Sequence, residues 1–366
     1  MAREPEPIPE PDRAPGAPHP RETLTLHGQS AAEAAFLQAW RAGRLHHAWL
    51  LRGARGVGKA TLAYRIARAL LAQDAAPQTL ALAGDHPVAR RVAAQSEARL
   101  KTLRRPWDAK AKRLRAMITV DEVRGLRPFF GLSAADGGWR VAVVDAADEM
   151  NPAAANALLK MLEEPPERAM LLLVAQAPGR LLPTIRSRCR TLDLAPLAPD
   201  DLARALADAG AGAPPDAGPL AALSGGAPGA ALRLADQDAP ALYARMAGLL
   251  AQAPGMDRGA LIALADQAAG RDAQARYAML LDLTVTLLQR LARAGAGAGG
   301  PPAAPAEPKL AARLAPDAAR ARLWAEAAAE TQTRAARALL VNLDPAHTVL
   351  DIWLRLDAVA ARALDR

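Results

Sequence analysis

Between an apolar run and a helical pattern the chain carries Gly53-Ala54-Arg55-Gly56-Val57-Gly58-Lys59-Ala60-Thr61, one residue short of a phosphate-binding loop. The pattern G-x-x-x-x-G-K-[ST] suits phosphates because its glycines let backbone N–H groups curl around them. The lysine then reaches the terminal phosphates, and the hydroxyl holds Mg²⁺. Here Ala60 stands at the hydroxyl position, and Thr61 offers a hydroxyl one residue late. His47-Ala48-Trp49-Leu50-Leu51 reads as a short buried strand before the loop, and Thr61 to Leu71 as an amphipathic helix after it. Strand, loop and helix in that order constrain the first part of the chain to an α/β fold. Gly53, Gly56, Gly58, Lys59 and Thr61 are therefore candidate nucleotide-binding residues, against the plainer alternative of a glycine-rich turn with an incidental lysine.

A length of 366 residues leaves room for two or three domains, each with its own core. Apolar residues make up 51% but aromatics only 3%, so Ala, Leu and Val must build the cores and helix should dominate. The formal charge of +8, mostly from arginine, makes an anionic partner such as nucleic acid plausible, although a general arginine bias explains it equally well. The single cysteine, Cys189, excludes an intrachain disulfide framework and a cysteine-rich zinc site, and no metal is implied. With neither a signal-peptide pattern nor an apolar run of membrane-spanning length, a soluble cytoplasmic protein is expected.

Residues 1–22 are rich in proline and charge without apolar periodicity and are expected to be disordered. Ala32, Ala35, Phe36, Ala39 and Trp40 then fall at helical spacing within Thr23 to Leu45. After the loop and its helix, about 73–116 breaks the strand–helix alternation and reads as a basic insertion. Arg90, Arg91, Arg99, Lys101, Arg104, Arg105, Lys110, Lys112, Arg113 and Arg115 stand there against only Glu97 and Asp108. A charge run is usually a solvated face, and contact with nucleic acid is the functional alternative.

Met117 to Val120 reads as a strand edge, and Thr119 with Glu122 has capping-box spacing for a helix through Arg127. Trp139-Arg140-Val141-Ala142-Val143-Val144-Asp145 is a buried parallel strand that delivers a carboxylate at its C-terminal end, where a phosphate-loop protein needs one to support Mg²⁺. Asp145 therefore joins the candidate nucleotide-binding residues. Asn151-Pro152 starts a helix that Pro165-Pro166 stops, Ala169 to Ala175 is a further buried strand, and Thr191 to Leu194 is the last. Beyond Pro196 only helical patterns remain. They are broken at Gly210 to Gly218 and at Ala294 to Pro308, and Asp344-Pro345 opens the final helix.

With these pieces in place the chain resembles clamp-loader subunits of the AAA+ class, from bacterial DNA polymerase III. The most specific parts of the resemblance are Asn156-Ala157-Leu158-Leu159-Lys160-Met161-Leu162-Glu163-Glu164-Pro165-Pro166 and Ser187-Arg188-Cys189, in that order after a phosphate loop. The resemblance implies a P-loop parallel-sheet α/β domain at 23–195, a small helical lid at 196–238 and an all-α collar at 239–366. It also implies that Arg188 acts as an arginine finger in the ATP site of a neighbouring subunit, where a planar, permanently charged guanidinium stabilises charge on the transferred phosphoryl group.

Departures from the family pattern decide which kind of member this is. Ala60 removes the Mg²⁺ hydroxyl. Ala146 replaces the glutamate that polarises water, Ala175 and Gln176 replace the hydroxyl residues of the first sensor, and Gly229 replaces the arginine of the second. Losing such a set leaves no plausible turnover. The resemblance then implies the stationary, catalytically silent member of a five-subunit complex. That member would partner the gamma or tau motor and the delta subunits, meet the sliding clamp transiently, and support loading of the clamp onto primed DNA. The alternative is an active gamma/tau motor. Lys59 and the glycines survive, so the loop is compatible with ATP or ADP bound without hydrolysis and also with no nucleotide. Relatives often carry a four-cysteine zinc module in the first domain; here the basic insertion occupies the corresponding region.

Overall fold

In a computed structural model the chain is described over residues 10–365, except 15, 73–76, 132–137, 213, 215, 270–272 and 342. It divides into two compact units, Met1–Ala213 with Ala227–Leu232, and Pro214–Gly226 with Arg233–Arg366. The stretch 196–238, expected to be a lid, thus contributes residues to both.

In the first unit, helix α1 (Ser30–Arg41) leads to strand β1 (Ala48–Arg52), the glycine loop and helix α2 (Lys59–Ala72). Helix α3 (Pro87–Ala93) and strand β2 (Leu100–Leu103) follow, then a hairpin of β3 (Trp107–Asp108) and β4 (Arg113–Leu114). Next come α4 (Val120–Arg124), α5 (Leu126–Gly131), β5 (Arg140–Asp145), α6 (Pro152–Glu163), β6 (Ala169–Val174), α7 (Pro183–Arg186), β7 (Arg190–Asp193) and α8 (Pro199–Asp208). Five strands form one parallel sheet in the order β2-β5-β6-β1-β7. In the interior strands β5 and β6, Val141 to Val144 and Ala169 to Val174 are all buried, as expected where both faces of a parallel sheet are covered. Register pairs Leu50 with Leu173 and Val143 with Leu172, so the apolar runs lie side by side.

Three expectations are corrected here. Residues 10–22, expected to be disordered, fold against the α/β unit, with His19 and the Asp12 carboxylate fully enclosed; residues 1–9 lie outside the described residues. The span 73–116 is not a bare insertion: beyond residues 73–76, which are not described, it supplies α3 and the sheet's edge strand. Leu100-Lys101-Thr102-Leu103 is half-buried and shows no clear period, and pairing with β5 recruits it. Finally, Ile118 forms a single bridge to Met150 instead of a strand, and the helix starting after Thr119 gives way at Gly125 to a second one. The Thr119–Glu122 capping box itself forms.

The second unit is helical: α9 (Gly218–Ser224), the end of α10 (Pro228–Asp236), α11 (Ala239–Leu250), α12 (Arg258–Asp266), α13 (Ala273–Gly295), α14 (Glu307–Leu314), α15 (Ala318–Leu340) and α16 (Pro345–Leu364). Its core is built around buried Tyr243, Trp324 and Trp353 among leucines and alanines. The stretch after Gly295, read as a break between helices, is tied down: Ala303 and Ala304 are buried, and the Ala303 N–H donates to the Glu307 carboxylate at 2.7 Å. Glu307 also accepts from Arg290 and from the Tyr243 hydroxyl. Asp344 caps α16 through the His347 N–H at 2.7 Å. The protein is therefore a P-loop parallel-sheet α/β core followed by an all-helical region.

Candidate nucleotide site and the surface arginine

The loop Gly53–Gly58 leaves the C-terminal end of β1 and enters α2, where Lys59 is the first residue. Gly53 has φ +143°, and a Cβ there would lie 2.6 Å from the Leu194 carbonyl oxygen, so no other residue fits this turn. Lys59 is buried. Its ammonium donates to the carbonyls of Gly53 and Ala54, both at 2.7 Å. Burial pulls its pKa down to about 8 against the opposing charges of Asp145 and Asp148. The lysine that would reach a phosphate thus grips its own loop.

The same loop is held from the other side. The Gly229 N–H, near the start of α10, donates to the Gly56 carbonyl at 3.0 Å. A Cβ on Gly229 would come 3.1 Å from the Gly56 Cα, so an arginine there could not share this packing. The glycine at 229 and the close seating of the helix on the loop are one feature.

Asp145 ends β5, two strands from β1 in the sheet. Burial, followed by the Asp12 charge, pushes its carboxyl up to about 7, with Lys59 opposing. Ala146 beside it is buried and offers no carboxylate. Sequence reasoning missed Asp148. Its carboxylate accepts from the N–H groups of Gln176 and Ala177 at 3.0 and 2.9 Å and ties the loop after β5 to the loop after β6. An acidic residue shortly after a buried strand was the only signal for it.

Also missed was the segment 10–28, which crosses this region as a strap. Asp12 pairs with His19 at 3.1 Å and with Arg104 at 2.7 Å, and Arg21 pairs with Glu10 at 2.7 Å. Burial opposes the Asp12 charge, but the His19 hydrogen bond and the nearby cations overcome it and hold the carboxyl below its usual range. Arg68, buried on α2, donates to the Arg21 and Thr23 carbonyls at 3.0 and 2.8 Å, while Arg65 reaches the Leu24 carbonyl and Glu33. Leu26 ends 2.8 Å from where a Gly58 Cβ would be, and Ala14 lies 3.5 Å from the corresponding point on Gly229. The strap therefore lies against both the loop and the helix that seats on it.

Arg188 lies elsewhere. It follows α7, its guanidinium bonded to the Thr184 carbonyl at 3.1 Å and paired with Glu163 of α6 at 3.0 Å. Its side chain is 38% exposed and that of Glu163 49%. Asn151 holds the other end of α6 by accepting from the Ala154 N–H at 2.8 Å. Neighbouring Cys189 is made unreactive by burial, which raises its thiol to about 12. His46 and His47 are structural: their rings stack, and His47 bonds the Leu162 carbonyl at 3.0 Å. The structure thus gathers Gly53, Gly56, Gly58, Lys59 and Asp145, with Thr61 in the first turn of α2. Arg188 has partners outside that group. Among the described residues no His, Cys, Asp and Glu side chains cluster in a way that would hold a metal.

Fold and loop together define a P-loop parallel-sheet α/β protein. Residues 28–198 match the family described as "DNA polymerase III, delta subunit". The chain is 41% identical over 195 residues to DNA polymerase III subunit delta' of Pseudomonas aeruginosa, covering 52% of this chain and 56% of that protein. It is 37% identical over 216 residues to the delta' subunit of Escherichia coli, covering 56% and 58%. To the gamma/tau subunit of Mycobacterium tuberculosis it is 32% identical over 171 residues, covering 46% of this chain and 28% of that protein. The chain spans somewhat more than half the length of the two delta' relatives. Over about half its length the chain is thus similar to DNA polymerase III delta' subunits, and the family match is confined to residues 28–198.

Proposed function

We propose that this chain is the stationary, delta-prime-type subunit of a cytoplasmic clamp loader and supports ATP-dependent loading of a sliding clamp onto primed DNA without itself hydrolysing ATP. The observation that carries this reading is the state of the loop. Lys59 is bonded to the loop's own carbonyls, Gly56 is bonded to Gly229, and alanine stands at positions 60 and 146, where hydrolysis needs a hydroxyl and a carboxylate. A phosphate would compete with the Gly53 and Ala54 carbonyls for Lys59, and Gly53, Gly56, Gly58, Lys59, Thr61 and Asp145 are the residues a bound nucleotide would meet.

In this reading the chemistry served by the chain is at a neighbour's site. Arg188, half-exposed and paired among the described residues with Thr184 and Glu163, is the residue available to act there. An exposed ion pair contributes about 0–1 kcal/mol, so exchanging Glu163 for a phosphoryl group costs little. Partners are the gamma or tau motor and the delta subunits, the sliding clamp and primed DNA. The parts are an α/β domain of 23–195, a lid of 196–238 and a collar of 239–366.

The likeness to gamma/tau keeps an active motor as the second reading. ATP hydrolysis by the purified chain separates the two. No turnover above background is expected, and a rate near 1 s⁻¹, the low end of ordinary enzymes, would overturn the silent-subunit reading.

A further inference from the structure

The ten cations between Arg90 and Arg115 equal the net charge of the whole chain in excess over their two acids, yet the structure shows that they are not one surface. Most are committed. Arg91 and Arg99 hold Glu97, Lys101 bonds the Gly125 carbonyl, and Arg104 holds Asp12. Arg105 pairs with Glu149 at 2.8 Å, and Arg115 with Asp108. Apart from Arg90 on α3, the three with no hydrogen-bonded or ion-paired side chain are Lys110, Lys112 and Arg113, all exposed at the end of the β3–β4 hairpin, with Arg113 near enough to Asp108 to feel its charge.

The hairpin holds them in a fixed place. Trp107 pairs with Leu114 and Asp108 with Arg113, and the Arg115 N–H closes the base on the Pro106 carbonyl at 2.9 Å. The Asp108 carboxylate accepts from the N–H groups of Lys110 and Ala111, both at 3.0 Å, and so shapes the turn. Those bonds, the Ala111 N–H first, hold its pKa low. Arg104 and Arg105 anchor the base to the strap and to the loop after β5. A turn ordered before contact loses less entropy on binding than a floppy basic tail would.

We propose that the tip of this hairpin is a phosphate-backbone contact for nucleic acid. The choice of partner follows from what surrounds the charges. From 109 to 113 the chain reads Ala-Lys-Ala-Lys-Arg, with no apolar side chain larger than alanine. Protein interfaces are anchored by aromatic and large apolar groups at their centre, and the tip has none. Backbone phosphates need only well-placed cations and give sequence-independent, salt-sensitive binding. The proposal rests on the reading above that DNA is a partner of this chain, and it names where the contact is made.

The test is binding of the full-length chain alone to a short labelled primer–template duplex, followed by anisotropy across a KCl series. The variant Lys110→Gln/Lys112→Asn/Arg113→Gln is compared with wild type; asparagine is used at 112 because φ there is +47°. An equal-charge control replaces Arg245, Arg293 and Arg322, exposed arginines of the helical unit, with glutamine. Circular dichroism confirms that each variant folds. In the hairpin variant the slope of log K against log[salt] should fall by about 2 to 3, at roughly 0.9 per phosphate, with affinity reduced ~10-fold or more near 0.1 M salt. The control should change little. An unchanged slope in the hairpin variant, an equal loss in the control, no binding by wild type at low salt, or equal binding of poly-glutamate would each overturn the proposal. ATP hydrolysis by the assembled complex reports separately on the clamp-loader reading, so either inference can fail without the other.

Discussion

At Asp145 and Lys59 two opposite charges share a buried place, and their titrations pull stability in opposite directions. Asp145 is held near 7 against an ordinary 3.8, so between those values the folded protein binds the proton that the unfolded chain has released. Its contribution is present at acid pH and is lost as pH rises through 7. Lys59, near 8 against 10.5, does the reverse: the folded protein sheds its proton first, and stability recovers as pH climbs from 8 towards 10.5. Asp145→Asn should therefore stabilise the protein at pH 8 by about 4 kcal/mol at most, less what Lys59 loses with its counter-charge, and leave it nearly unchanged at pH 4, measured by urea unfolding. An equal gain at both values would show that the carboxyl is not shifted. At the surface, Glu163→Gln removes an exposed ion pair worth about 0–1 kcal/mol. Its melting temperature should stay within a degree or two of wild type, whereas a large drop would mean that Arg188 is a structural residue.

Among the elements, the strap and the start of α10 are what close the loop. Arg104→Ala would leave the enclosed Asp12 carboxylate with His19 as its remaining partner and should cost about 1–3 kcal/mol, less than a fully buried pair because Arg104 is partly exposed. Gly229→Ala would set a Cβ against the Gly56 backbone and should cost about 1–3 kcal/mol as overpacking. Denaturant unfolding checks both, and a neutral result at Gly229 would mean that α10 is not seated on the loop. These two contacts also mark what the sequence could and could not show. The glycine loop, β5 and the Asn151 cap were legible because each is specified by neighbours within a few residues. The strap was not: its prolines and charges read as disorder, and its order comes from pairing with Arg104, 92 residues on. The edge strand β2 was hidden for a similar reason, since it has no period of its own and is recruited by β5. The hairpin tip could be seen as charge, but only folding showed which cations remain unpaired.

For the whole molecule, the α/β unit holds every residue matched to the family, and the helical unit has a core of its own, centred on Tyr243, Trp324 and Trp353. Within that unit Glu307 gathers Tyr243, Arg290 and the Ala303 N–H, a buried network typical of a structure that holds its shape. The proposed role in a neighbouring subunit's chemistry rests on Lys59 bonded within its own loop and on the half-exposed Arg188. The most direct test is ATP hydrolysis by the complex reconstituted with motor and delta subunits, comparing wild type with Arg188→Ala. The expected result is intact assembly with reduced hydrolysis, because the site that borrows this arginine loses its transition-state contact. Normal hydrolysis by the Arg188→Ala complex would contradict the assignment.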